Sequence, residues 1–315
     1  MIRERRKNGG DEMKAQKQHV RRSALLFFVI LLINCLIPSG VCADTGPKPS
    51  VQIQFQNMGD ELCYGTLLSE SISTGPATAW DGSSPYESWQ YGEDGKEIWE
   101  AFVSYKDTNG FYFLQEWWEC SESKCLNWGY YPPNPFKILL YYPKTNTFAV
   151  SEICQRYAFD SYYTVDMRGV AASRENETIA LPQPQRSYDY TWEMISLLIR
   201  ILITILLEIV MAVVCGFREK KVLRLIIGIN ILTQTVLNAA LNMVNYLHGY
   251  QAFVLQYIIF EILVFVLEAI LYCIFFPKVS ERKFTQDRII GYAFLANLLS
   301  FAGGMLIAKA IPGIF

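Results

Sequence analysis

The run Ala252 to Phe276 is apolar along its whole length yet carries two carboxylates, Glu261 and Glu268. A helix of roughly 20 such residues crosses the hydrocarbon core of a bilayer. At about 100° per residue, positions seven apart lie on one helix face, so Glu261 and Glu268 share a stripe. Tyr257, four before Glu261, and Tyr272, four after Glu268, fall on the same stripe. A carboxylate facing lipid is costly, so such groups turn toward a bundle interior or a cavity. The stripe therefore predicts an all-α transmembrane bundle folded around this helix.

Three further apolar segments complete a four-helix transmembrane domain over 192–315, with spans near 193–215, 222–243, 252–276 and 289–311. Arg218, Lys220 and Lys221 fall in the first interhelical loop, with Arg224 just beyond it, and Lys278, Arg282, Lys283 and Arg288 in the third. The second loop, Asn245 to Gln251, has neither Lys nor Arg. The positive-inside rule places both basic loops in the cytoplasm. An exported domain entering the first helix from outside demands the same orientation. The expectation is a multi-pass cell-membrane protein with its N-terminal domain and its C-terminus extracytoplasmic.

Counting depth at ~1.5 Å per residue puts Glu208, Asn230, Glu268 and Asn297, one from each helix, at a common level. A second level, nearer the outside, holds Arg200, Glu261 and Asn238, with Arg200 and Glu261 expected as partners because an unpaired buried charge is costly. Asn230, Gln234, Asn238 and Asn245 form a polar stripe on the second helix, flanked by Thr233. Amides and hydroxyls in membrane helices often serve only as interhelical hydrogen bonds, typically under about 2 kcal/mol each. Three carboxylates, however, exceed the single Arg200, so at least one is expected to be protonated or to bind a cation. Ser300, Gly304 and Ala308 give the fourth helix a face of small residues for close packing.

Ahead of the bundle, eight Lys/Arg in residues 1–22, an apolar run from Ser23 to Ile37 and Val41-Cys42-Ala43 read as a signal peptide over 1–43, with Met13 as an alternative start. Residues 44–167 read as an exported α+β domain, mainly antiparallel sheet. Val51 to Phe55 alternates strictly and predicts a half-buried strand. Further strands are expected at Phe111–Trp117, opened by Asn109-Gly110, and at Tyr162–Met167. A hairpin is expected from Lys137–Tyr142 and Thr147–Ile153 about the turn 143–146. Ile98, Phe102 and Tyr105 at helical spacing predict a helix over 95–106. Asp107-Thr108-Asn109-Gly110 partly matches a calcium loop, but Tyr105 stands where the first carboxylate belongs, so a tight turn is the better reading. Residues 168–191 read as a linker. Four cysteines in the exported part suggest disulfides, paired as Cys120 with Cys125 across a short polar turn and Cys63 with Cys154; a zinc site would have unusual spacing. Cys215 and Cys273 are expected to be reduced.

From Asp44 to Thr191 there are 20 acidic and 10 basic residues, a net charge of −10, while 192–315 holds 7 acidic and 10 basic. No basic patch interleaved with aromatics points to nucleic acid. The two histidines, His19 and His248, and the lack of HExxH, P-loop and GxSxG motifs leave no catalytic, metal or cofactor set. The four apolar segments hold no Asp, which argues against an intramembrane aspartyl enzyme. The leading expectation is therefore not an enzyme but a membrane-anchored extracytoplasmic module that binds or senses an extracellular ligand or membrane partner. The alternative is a small proton- or cation-coupled transporter, or a component of one, using its intramembrane carboxylates, for which a homo-oligomer would be needed.

Cys63-Tyr64-Gly65-Thr66-Leu67-Leu68-Ser69 and Arg156 to Tyr163 in the first half, with Asn230 to Gln234, Glu261 to Glu268 and Asn297 to Ser300 in the second, carry a resemblance. The chain resembles surface membrane proteins of Gram-positive, clostridia-type bacteria in which an exported domain precedes four transmembrane helices. The resemblance implies architecture and localisation over most of the mature chain; it implies no catalytic residues.

Overall fold

Val51, Ile53 and Phe55 alternate with Gln52, Gln54 and Gln56, and strand β1 (Ser50–Gln56) buries the apolar set. The computed structural model describes residues 46–83, 86, 95–170 and 176–310. The expected signal peptide lies outside them. The chain divides into a sheet domain, residues 46–189 with 246–249, and a helical unit made of the rest.

The sheet domain continues with β2 (Tyr64–Ser69), α1 (Lys96–Ser104), β3 (Tyr112–Phe113), β4 (Trp118–Glu119) and β5 (Cys125–Trp128). It is completed by β6 (Phe136–Tyr142), β7 (Thr147–Val150), β8 (Asp160–Asp166), β9 (Thr178–Ala180) and β10 (Gln185–Arg186). One sheet runs β10-β8-β1-β5 and the other β3-β2-β6-β7-β9, with β4 also on β2. The pairings are antiparallel except β1 with β8 and β7 with β9, so both sheets are mixed. The main core includes Val51, Ile53, Phe55, Leu126 and Val165 from the first sheet and Leu67, Ile138 and Leu140 from the second. On the second sheet's other face, Ile98, Trp99 and Phe102 of α1 pack with Leu68, Leu139 and Tyr141. The architecture is thus sheet, sheet, helix, an α+β domain.

Several expectations are refined. Of the strand expected at Phe111–Trp117 the structure keeps Tyr112–Phe113; the chain breaks at Gln115, whose backbone takes a positive φ of 62°, and β4 begins beyond it. Strands β9 and β10 lie within residues read as linker; each is too short to show a periodicity. At the turn 107–110, Lys137 occupies the focus of the loop. Its ammonium lies 2.8 Å from Asp107 Oδ1 and 2.7 Å from Asn109 Oδ1. Asp107 Oδ2 meanwhile accepts from the Asn109 backbone N–H at 2.8 Å.

The expected disulfide pairs are not formed, and all six described cysteines are thiols. Cys154 forms a bridge with Phe136 at the start of β6. Tyr64 pairs with Tyr141, which puts Cys63 beside the far end of the same strand. Six strand residues separate the two places, about 20 Å, far beyond disulfide reach. Cys120 is enclosed in the core, whereas Cys125 is half-buried on the face of β5 opposite to Leu126.

The helical unit consists of α2 (Tyr190–Val214), α3 (Lys220–His248), α4 (Tyr250–Val279) and α5 (Gln286–Ala310). Each of these four helices is long and apolar enough to cross a membrane. The chain is an integral, multi-pass membrane protein with a sheet domain. Helix α5 packs closely on α4 and on α2, and a Cβ added at Gly303 would lie 3.0 Å from Leu207 Cδ1. It begins at Gln286, so Asp287 falls in its exposed first turn. At one end of the bundle the loops interlock. Glu219 accepts from Ser280 Oγ at 2.9 Å and from the Glu281 backbone N–H at 3.0 Å. Arg288 Nη2 donates to Cys215 O at 2.6 Å.

Candidate functional site

Each helix turns its few polar residues inward. On α2 the buried set is Ser196, Arg200, Thr204, Glu208 and Ala212, a spacing of four that makes one ridge winding slowly along the helix. On α4 it includes Phe260, Val264, Glu268, Tyr272 and Phe276, again at fours. The faces meet at a polar cluster. Glu208 and Glu268 are both fully buried, with their carboxyls within hydrogen-bonding reach of one another.

The two carboxyls are held by amides in the same way. Asn230 on α3 donates through Nδ2 to Glu208 Oε2 at 2.7 Å and back to Ile226 O, one turn earlier, at 3.1 Å. Asn297 on α5 donates to Glu268 Oε2 at 2.7 Å and back to Ala293 O at 3.0 Å. The carbonyl four residues earlier fixes which end of each amide faces the carboxyl, since two acceptors demand the NH2 group.

Hydroxyls supply the remaining hydrogen bonds to the two carboxyls. Tyr272 and Tyr292 donate to Glu208 Oε2 at 3.2 and 3.1 Å, and Thr233 to Glu268 Oε1 at 2.6 Å. Glu208 Oε2 therefore collects three donors, whereas the two oxygens of Glu268 collect one each. Sequence reasoning named Glu208, Asn230, Glu268 and Asn297, and the structure brings them together. It passed over Tyr292, whose signal was a tyrosine in an apolar span five residues before Asn297.

The cluster is short of donors. Glu208 Oε1, Asn230 Oδ1 and Asn297 Oδ1 are buried and receive no hydrogen bond from any amide or hydroxyl among the described residues. Buried polar atoms are nearly always satisfied, so three orphaned acceptors in one cluster are notable. Among the described residues no Lys or Arg hydrogen-bonds to either carboxyl, and among them no group of three His, Cys, Asp or Glu side chains is placed to hold a metal ion.

The second level is not assembled as expected. Arg200 and Glu261 form no ion pair among the described residues. Arg200 Nε is turned back on its own helix toward Ser196 O at 3.4 Å. Glu261 instead takes a hydrogen bond from Tyr257, one turn away, which also interacts with Arg200. Asn238 donates to Gln234 O at 2.7 Å, within α3. A cleft of roughly 180 Å³ between α4 and α5 is lined by Glu261 and Asn297 among apolar residues, so it touches both levels.

No protein-family model, curated protein or solved structure matches the chain.

Proposed function

We propose that this membrane protein holds a transferable proton on the Glu208–Glu268 pair and works as a small proton-coupled membrane component. One observation carries the reading: two fully buried carboxyls from different helices lie within hydrogen-bonding reach, with no basic side chain among the described residues bonded to either. Two uncompensated negative charges in so dry a place would cost several kcal/mol. A single shared proton removes one charge and supplies the donor that Glu208 Oε1 lacks. The donor count assigns the negative charge to Glu208, with its three hydrogen bonds, and the proton to Glu268. The cleft beside Glu261 and Asn297 offers this proton a way toward the bundle surface.

The test is proton flux in proteoliposomes carrying the full chain under an imposed pH gradient. Flux that is lost in Glu268→Gln at unchanged membrane abundance supports the reading. Flux that is equal in wild type and variant overturns it.

A second reading, a sheet domain that binds an extracytoplasmic ligand, is favoured by a groove of roughly 210 Å³ bordered by Trp80, Tyr105, Phe111 and Tyr112, with Lys106 and Asp107 at its edge. Trp80 and Tyr112 are partly exposed there, and aromatic faces beside charged groups suit amphipathic ligands such as glycans. Binding of the purified protein to isolated cell-wall material, weakened by Trp80→Ala and Tyr112→Ala, would support it. Equal binding by the variants would count against it. Both readings place the sheet domain and the C-terminus outside the cell, with the loops at 216–219 and 280–285 in the cytoplasm.

A further inference from the structure

Residues Cys63 and Cys120 are neighbours across two paired strands. Tyr64 pairs with Glu119 and Gly65 with Trp118 in antiparallel register, so the next pair along is Cys63 with Cys120. The Cys120 backbone N–H donates to Cys63 O at 2.8 Å, which extends the ladder to this pair. Directly opposed residues of antiparallel strands have Cα atoms about 4.5–5.5 Å apart, inside the range a disulfide spans. Both side chains enter the same core, between the two sheets, and both are fully buried.

We propose that Cys63 and Cys120 are the site of a cross-strand disulfide that ties β2 to β4. In the thiol form Cys120 Sγ is turned toward Gly65, where an added Cβ would lie 2.9 Å from it. A glycine there leaves the space that the sulfur takes up. Rotation about the Cα–Cβ bond brings Sγ over toward Cys63. The carbonyls the thiols reach lie at long range, Trp118 O at 3.5 Å and Tyr64 O at 3.8 Å, so little is lost there on pairing, and the Tyr142 side chain also meets the Cys63 sulfur.

Burial pushes the Cys63 thiol up to about 12 and the Cys120 thiol higher still. The folded thiols are therefore protonated and shielded, and the bond forms while the strands are still accessible. The step is thiol–disulfide exchange. One cysteine thiolate attacks a small-molecule or enzyme disulfide, and the second displaces the mixed disulfide. The protein loses two hydrogens, and the disulfide donor leaves as two thiols. The inference rests on the reading that residues 46–189 lie outside the cytoplasm, where such donors persist.

The test uses the full chain. Intact cells are treated with a membrane-impermeant maleimide, then denatured in N-ethylmaleimide, and the protein is digested without reductant and mapped by mass spectrometry. Expected is a Cys63–Cys120 linked peptide that separates on reduction, with Cys154 alkylated and half-buried Cys125 labelled from outside. Cys125 labelled from outside but Cys63 and Cys120 both alkylated, or Cys120 linked to Cys125, overturns the pairing and leaves the orientation standing. Cys125 protected in intact cells with Cys63 and Cys120 alkylated overturns both.

Discussion

Asn297 holds Glu268 with the same two hydrogen bonds, 2.7 Å to the carboxyl and about 3 Å to its own helix, that Asn230 uses on Glu208. In each case a helix supplies the carboxylate and the next helix in the chain supplies the amide. Removing either amide strips a donor from a buried carboxyl, a change that typically costs ~1–3 kcal/mol. Asn230→Leu and Asn297→Leu should each lower the detergent-solubilised melting temperature. Asn230→Leu should do more harm, because its amide serves the carboxyl that bears the charge, and its Nδ2 also lies 2.9 Å from the Tyr272 hydroxyl. Equal and negligible shifts would mean that the amides do not hold the carboxyls.

The two carboxyls should respond differently to the same substitution. Glu268→Gln replaces a neutral acid by a neutral amide and should leave membrane abundance unchanged, while Glu268→Lys should be rejected. Glu208→Gln removes a charge on which three donors converge and should cost roughly 1–3 kcal/mol. Infrared spectra of the wild type should show a protonated-carboxyl band that disappears in Glu268→Gln. If it disappears in Glu208→Gln instead, the proton has been assigned to the wrong partner.

In the sheet domain, Lys137 and Asp107 form a buried ion pair, with side chains 5% and 1% exposed. Breaking such a pair from one side leaves a bare charge and typically costs ~3–5 kcal/mol. Lys137→Met should therefore unfold the domain at lower denaturant, and Lys137→Met with Asp107→Asn should recover part of the loss. A double variant no better than Lys137→Met would show that the loop, rather than the charge, is what matters.

The interlocked loops predict a pH dependence. The Glu281 backbone N–H, followed by Ser280, holds the Glu219 carboxyl below its ordinary range. A depressed carboxyl stabilises the fold above its unfolded value, about 4.3, and that contribution is lost as pH falls through the folded value. Amide exchange at Glu281 should accelerate on acidification through this window in the wild type, and be fast and flat in Glu219→Gln. Exchange that is pH-independent in both, after correction for intrinsic rates, would exclude the contact.

The four spans are legible from the length of their apolar runs, β1 and α1 from their periodicity, and the β6–β7 hairpin from the turn between its strands. Strand β6 is buried on both faces, and β2 on all but Tyr64. Alternation therefore cannot mark β2. The level of Glu208, Asn230, Glu268 and Asn297 was legible because depth along a helix is a simple count. Partner choice was not: whether Arg200 meets Glu261 depends on helix rotation, and whether Cys63 meets Cys120 depends on strand register. Neither is written in local spacing.

The parallel pairing of β1 with β8 has a temporal consequence. The Ser50 hydroxyl meets Asp160 at 2.5 Å across 110 residues of chain, and the whole length of β1 depends on that neighbour. A ribosome adds roughly 5–20 residues per second, so β1 waits several seconds at least for its partner to be made. In that interval β1 has only the antiparallel β5 as a hydrogen-bonded neighbour in its sheet. Non-local pairing of this kind is slow and exposes apolar edges. The domain's yield should therefore depend on whatever guards the nascent chain until Asp166 has been added.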